Sequence, residues 1–379
     1  MSIFLIFFFV VYGFVHLYAF LRTRAALSLN FKGGAYLAAF MVVMTFSPLI
    51  VYVSERHGFE FFARFMSYTG YLWMGGLFLF ISASLVIDVY RLTFRSAGLV
   101  LGRDFSSIIP SARTSFFVPV IFSLTTAVYG YFEAKNILTE HVTIRTSKLP
   151  DHVSRLKIVQ ISDVHLGLIV REERLKKIID QIKLAEPDIL VSTGDLVDGL
   201  INRLEGLAEM LNELNPAYGK FAITGNHEFY AGLDQAQNFT QRAGFRILRG
   251  EGVTVEGTIN IAGVDDPAGD IYGLSKNIPE KVLLSGLVNG RYTILLKHRP
   301  LTDRDSAGLF DLQLSGHTHK GQIFPFSLIT RLYYPSHAGL SNLPGNSALY
   351  VSRGAGTWGP PIRFLAPPEV TVIELVKQY

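Results

Sequence analysis

The chain contains no cysteine. Disulfides, thiolate metal sites and cysteine nucleophiles are thereby excluded, and any bound metal must be held by nitrogen and oxygen donors. Charge is also sparse: 17% of the 379 residues are Asp, Glu, Lys or Arg, while 49% are hydrophobic and the mean hydropathy is +0.30. That is too apolar for a wholly water-soluble chain, so part of it belongs in lipid. The first 150 residues hold 12 of the 35 Lys and Arg and 6 of the 31 Asp and Glu, a net of +6. The remainder carries 23 basic against 25 acidic residues, a net of −2. It has no concentrated basic stripe, which argues against nucleic acid as a partner. Internal repeats and low-complexity tracts are absent as well.

Long apolar runs are present instead. Ser2 to Phe20, Gly34 to Val53, Tyr68 to Ile87 and Phe116 to Phe132 each have roughly the length that crosses a bilayer, the last with Pro119 inside it. A cleavable leader is the rival for the first run, but that run lacks a basic start and a small-residue cleavage site, and three more runs follow. The expectation is an α-helical membrane domain of about four spans over residues 1–133, with the lipid bilayer as partner. His16 and Asp88 lie close enough to span ends to reach interfacial water and receive no role. Arg22, Arg24, Lys32, Arg91, Arg95, Arg103 and Arg113 flank one side of these spans, and Arg56, Arg64, Lys135 and Arg145 the other. Positive residues are retained in the cytoplasm, so seven against four places everything after the fourth span outside it, in an integral protein of the plasma (inner) membrane. Residues 134–154 are polar and turn-rich, and read as a linker.

From residue 155 the pattern changes to strands alternating with helices, which argues for an α/β layer. Leu156 to Ile161 is a buried strand, Glu172 to Leu184 a helix, Asp188 to Ser192 a strand, Leu204 to Leu214 a helix and Phe221 to Thr224 a strand. A strand pair turns near Gly257, further strands cover Tyr292 to Lys297 and Leu309 to Ser315, and Ala348 to Ser352 and Val370 to Val376 close the layer. Five of these apolar runs end in polar clusters: Asp163 and His165; Asp195; Asn226; His298; His317 and His319. Ligands bind beyond the carboxyl ends of strands in open α/β sheets, so the five loops can converge. Seven nitrogen and oxygen donors exceed what one ion needs and suit two. A lone Gly-Asp or Gly-Asn is ordinarily a turn; the set of five carries the inference. His152 and His337 are isolated and are assigned ordinary roles.

Asp163-Val164-His165, Gly194-Asp195, Gly225-Asn226-His227-Glu228, His298 and Gly316-His317-Thr318-His319 resemble the five-block signature of the calcineurin-like metallophosphoesterases, over about residues 155–377. Lys297-His298-Arg299-Pro300 and the stretch Arg353 to Pro361 resemble its membrane-associated YkuE/YaeI-like branch, as do transmembrane proteins with a metallophosphoesterase domain. Lys320 departs from that branch, where glycine is more usual. The resemblance implies a four-layer α/β/β/α metallophosphoesterase sandwich over residues 155–379. It implies one metal on Asp163, His165 and His319, a second on Asn226, His298 and His317, and Asp195 bridging them.

Two divalent ions would share a water, lower its pKa and hold phosphate oxygens while the resulting hydroxide attacks phosphorus. Manganese, iron or zinc suits the donor set. His227 is expected as general acid or phosphate stabiliser, beside Asp195 in the catalytic set. Glu228 and Asp198 are expected behind the ligands, for example accepting an imidazole N–H and fixing its tautomer. The function expected is hydrolysis of a phosphoester or pyrophosphate bond in a lipid-borne or membrane-proximal substrate. The alternatives are a UDP-2,3-diacylglucosamine-type pyrophosphate hydrolase, whose substrate is cytoplasmic, a nuclease, and a catalytically silent metal-binding membrane sensor or scaffold.

Overall fold

The computed structural model describes residues 3–199, 201, 204 and 206–378. Ser2 of the first expected span, Glu205 of the helix expected from Leu204, and Tyr379 lie outside the described residues. Two compact units are present: one holds the residues up to Phe132 with Gly359–Ile362, the other Glu133–Trp358 and the chain from Arg363 on.

In lipid every backbone N–H must be satisfied within its own segment, and the Phe-, Leu- and Val-rich first unit accordingly folds as helices. These are α1 (Ile3–Leu27), α2 (Phe31–Thr45), α3 (Ser47–Arg56), α4 (Glu60–Leu101) and α5 (Ala112–Lys135). α2 and α3 are bent by 52° at Phe46, just before Pro48, which has no N–H to continue the ladder. Among the described residues, three helices are long and apolar enough to cross a membrane, and the bent pair makes four if it is one span. The 42 residues of α4 amount to about 63 Å, twice a bilayer core of about 30 Å, so this helix far outruns the span read at Tyr68 to Ile87. His16 corrects an expectation. It is buried rather than water-facing, its Nδ1 donating to Tyr12 O (2.8 Å) and its Nε2 accepting from Trp73 Nε1 (2.9 Å). Asp88 likewise has protein partners, an ion pair with Arg22 and the Tyr18 hydroxyl at 2.6 Å.

The second unit is built on two six-stranded sheets. The first has the order β1 (Leu138–Thr146), β12 (Glu369–Lys377), β2 (Arg155–Ile161), β3 (Ile189–Ser192), β4 (Lys220–Ala222) and β5 (Arg246–Ile247). The second has the order β10 (Gly339–Asn342), β11 (Ala348–Val351), β9 (Leu312–Ser315), β8 (Tyr292–Leu296), β7 (Ile259–Gly263) and β6 (Glu251–Val255). Ile158, Val191, Ile373, Ile261, Ile294 and Leu314 fill the space between the sheets. α6 (Glu172–Ala185), α7 (Leu207–Asn212) and α9 (Leu233–Arg242) cover the outside of the first sheet, with Ile178, Leu211 and Phe239 on Val159 and Leu190. α11 (Glu280–Ser285) covers the second through Leu284 on Ala262 and Leu295. The result is a four-layer α/β/β/α sandwich. α8 (Asn226–Ala231), α10 (Ala268–Ile271) and α12 (Phe326–Tyr333) follow β4, β7 and β9 in the chain.

The stretch read as a linker is corrected over Leu138–Thr146, which is the edge strand β1, parallel to β12. Val142 and Ile144 pack against the inter-sheet core, while His141, Thr143 and Arg145 alternate toward solvent. That alternation is what an edge strand requires.

Candidate metal centre

β2, β3 and β4 run parallel in one sheet, and β8 and β9 run parallel in the other, so their carboxyl ends open on common edges. Beyond those ends the backbone is no longer extended. Asp163, His165, Asp195, His317 and His319 have φ of 51°, 54°, 53°, 69° and 48°. A non-glycine residue in this left-handed region costs roughly 1–2 kcal/mol, strain that neighbouring bonds must hold. Asp163 N–H donates to Gly194 O and His165 N–H to Asp195 O, each at 3.0 Å, which ties the loop after β2 to the loop after β3. His317 N–H donates to both Asp163 carboxylate oxygens at 3.0 Å and joins the two sheets. Two glycines permit this closeness: a Cβ on Gly316 would stand 1.9 Å from Ser162 Oγ, and one on Gly225 2.2 Å from Asp195 Oδ1.

Six of the seven expected ligands fall into two groups, Asp163 with His165 and His319, and Asp195 with His298 and His317, their donor atoms all within 4.8 Å of one another in each. His165 Nε2 lies 3.1 Å from His319 Nε2, and His298 Nε2 3.2 Å from His317 Nδ1. Asp195 Oδ2 stands between the groups, 3.2 Å from His298 Nε2 and 3.8 Å from His165 Nε2. Asn226 opens α8 with its Oδ1 buried and without a hydrogen-bond partner among the described residues. A third group joins His165, Asp195 and His227. Among the described residues, His152 and His337 belong to no such group.

Burial drives the His165 imidazole down to about 4 and that of His317 to about 3, so both are neutral with lone pairs to offer. Burial would also raise Asp195, but His298 and His227 hold it well below the usual carboxylate range. Burial alone would lower His298 and His227; the Asp195 carboxylate outweighs it at both, aided at His227 by Asp198, and lifts them to about 10 and 9. The donor set fits divalent cations. Imidazole nitrogens face each other at contact distance, a buried amide oxygen lacks a partner, and a carboxylate lies between the two groups, whereas thiolates are absent.

A second layer orients these donors. His298 Nδ1 donates to Thr193 O (2.8 Å), which leaves Nε2 to face the site. Asp198 Oδ1 accepts His227 Nδ1–H at 2.9 Å, as expected of that carboxylate. Glu228 does something else: it accepts backbone N–H groups from Gly225 (2.6 Å), Leu196 (2.8 Å) and Asp195 (3.0 Å), and no imidazole. Arg363 was not anticipated at all. It is fully buried, donating to the carbonyls of Arg353 (2.7 Å) and Gly356 (2.6 Å), with its Nη2 3.0 Å from His319 Nδ1. An arginine after Pro360-Pro361-Ile362 carries no local mark of such a place.

Comparison with known proteins decides the family. The profile of the calcineurin-like phosphoesterases matches residues 156–321. An uncharacterized metallophosphoesterase of Aquifex aeolicus is 43% identical over 65% of this chain and 95% of its own length. The chain belongs to the calcineurin-like metallophosphoesterases. As such it is a metal-dependent phosphoesterase. The uncharacterized metallophosphoesterase YkuE of Bacillus subtilis is 36% identical over 65% of this chain and 89% of that one. A zebrafish (Danio rerio) transmembrane protein with metallophosphoesterase domain is 31% identical over 73% of this chain and 67% of that one. Among solved structures, a 5'-nucleotidase precursor from Thermus thermophilus matches at 18% identity and a TM-score of 0.35, over 59% of this chain and 54% of that one, too loosely to bear on substrate.

Proposed function

We propose that this metallophosphoesterase is anchored in a membrane by its helical unit and hydrolyses a phosphoester or pyrophosphate bond of a lipid-borne or membrane-proximal substrate. The observation that carries the chemistry is Asp195, its Oδ2 lying between two groups of buried donors. Asp163, His165 and His319 would hold one divalent ion, Asn226, His298 and His317 the other, with Asp195 shared. When bound, such ions supply Lewis acidity toward phosphate oxygens and an activated water. Manganese, iron or zinc matches nitrogen and oxygen donors without thiolate.

The chain's own residues orient and move protons. His227 Nδ1–H is anchored on Asp198, which leaves Nε2 as the atom that can donate to a leaving oxygen. Its affinity for the proton, raised to about 9, keeps it charged at neutral pH and suits it to this role. Glu228 holds the loops of Asp195 and Asn226 in register, and Arg363 holds His319. The basic bias of the span flanks supports an extracytoplasmic catalytic domain in the plasma (inner) membrane.

The test is turnover by the full-length protein in vesicles, offered a phosphomonoester, a phosphodiester and a pyrophosphate, each also as an acylated form, with and without manganese. Metal-dependent hydrolysis that prefers an acylated substrate supports the proposal. Preference for the pyrophosphate moves the nucleotide-lipid alternative forward, and absence of turnover on every substrate favours the scaffold.

A further inference from the structure

α12 begins seven residues after His319 and reads Phe-Ser-Leu-Ile-Thr-Arg-Leu-Tyr. Thr330 alone in it is buried; Leu328 and Ile329 are exposed, Leu332 is 86% exposed and Tyr333 78%. Tyr334, which follows, packs edge-on against the His317 ring with centroids 5.6 Å apart. The apolar helix is thus a shoulder of the metal centre itself. His227 has a shoulder of the same kind: exposed Trp358 with its ring 6.0 Å away and exposed Tyr230 at 5.4 Å. Large apolar side chains left in water on both flanks of one site mark a surface made to be covered.

We infer that α12, with Trp358 on the His227 side of the site, beds into the head-group region of a lipid bilayer and so presents membrane-borne phosphorus to the donor set. Three observations choose lipid over a protein. The same chain carries helices long and apolar enough to cross a membrane. Trp358, Tyr230 and Tyr333 are exposed beside Phe326, and Trp and Tyr are the residues that favour the membrane interface. The one charge in α12 is Arg331, and Lys320 lies just before it, the sign that attracts lipid phosphates. This inference rests on the reading of the substrate as lipid-borne.

The absence of cysteine makes a site-specific test direct. Leu332→Cys in the full-length protein would carry an environment-sensitive fluorophore in phosphatidylcholine/phosphatidylglycerol vesicles containing nitroxide-labelled lipid. Leu184→Cys, exposed near the end of α6 at the opposite edge of the first sheet, is the control. Blue-shifted, nitroxide-quenched emission at 332 and water-like, unquenched emission at 184 are expected. Leu332→Glu should raise KM for a vesicle-borne phosphodiester about tenfold and leave a soluble phosphomonoester untouched. Water-like, unquenched emission at 332 overturns the inference, as does crosslinking of Leu332→Cys into dimers without quenching, which hands the face to a second copy. Quenching needs no turnover, so quenching without lipid hydrolysis would sink the substrate reading alone.

Discussion

Replacing Glu228 by Gln should weaken metal binding without removing a ligand. The carboxylate takes N–H bonds from Gly225 and Asp195 on Oε2 and from Leu196 and Val197 on Oε1, at 2.6, 3.0, 2.8 and 3.3 Å. Glutamine keeps one acceptor oxygen and turns an NH2 toward the other pair of donors. Two buried N–H groups are then orphaned, at about 1–3 kcal/mol each. Part of this is recovered, because burial and the Asp195 charge already push the Glu228 carboxyl up to about 7, and the amide removes that repulsion. A net loss of about 2–3 kcal/mol follows, localised at the backbone that holds Asp195 at φ 53° and starts α8 at Asn226. Groups behind metal ligands are typically worth 10- to 100-fold in affinity, so the manganese concentration giving half-maximal activity should rise by about that factor. The rate at saturating manganese should stay within a few fold. An unchanged manganese requirement would refute the reasoning, and a collapsed rate at unchanged metal affinity would show that Glu228 acts on the substrate instead.

Three other outcomes are expected. His227→Gln should lower kcat by about 10²–10³ on a substrate with a poor leaving group and much less on p-nitrophenyl phosphate, with manganese affinity kept; equal losses on both substrates would remove the general-acid role. Gly316→Ala would force its Cβ against Ser162 and Asp163, and about a hundredfold or greater loss of activity is expected together with lost manganese binding by calorimetry. His298 retains a proton to about pH 10 beside Asp195, whereas His165 and His317 are already neutral at pH 7. A dication must displace that proton, so between about pH 6, where the Asp163 carboxyl gives up its own proton, and pH 10 manganese affinity should rise about tenfold per pH unit and binding should release about one proton. Titrations in buffers of different ionisation heat would show it, and pH-independent binding would contradict it.

The donor set was legible because its signal is local. Each expected ligand lies within four residues of the end of a short apolar strand, and Asp163-x-His165 and His317-x-His319 read the same in the chain as in the fold. What escaped is non-local. β1 pairs with β12 across more than 220 residues, and its alternating His141, Thr143 and Arg145 look like a polar connector until Val142 and Ile144 find the inter-sheet core. Arg363 reaches His319 only because the chain from Arg353 to Ala366 folds its carbonyls around the guanidinium. Adjacency to Asn226 does not reveal that two loops, the one after β3 and the one after β4, aim N–H groups at the Glu228 carboxylate. The place of His16 in its run suggests interfacial water, whereas Trp73, 57 residues away, supplies its donor.

If Asp195 is shared by two ions, its loss should remove an ion and the activity together. Metal content per chain and turnover should be measured together on the wild type and Asp195→Asn, both full length and loaded with manganese. Two ions and activity are expected for the wild type, and at most one ion with activity reduced by about a thousandfold for the variant. A variant that keeps two ions and near-normal turnover would contradict it.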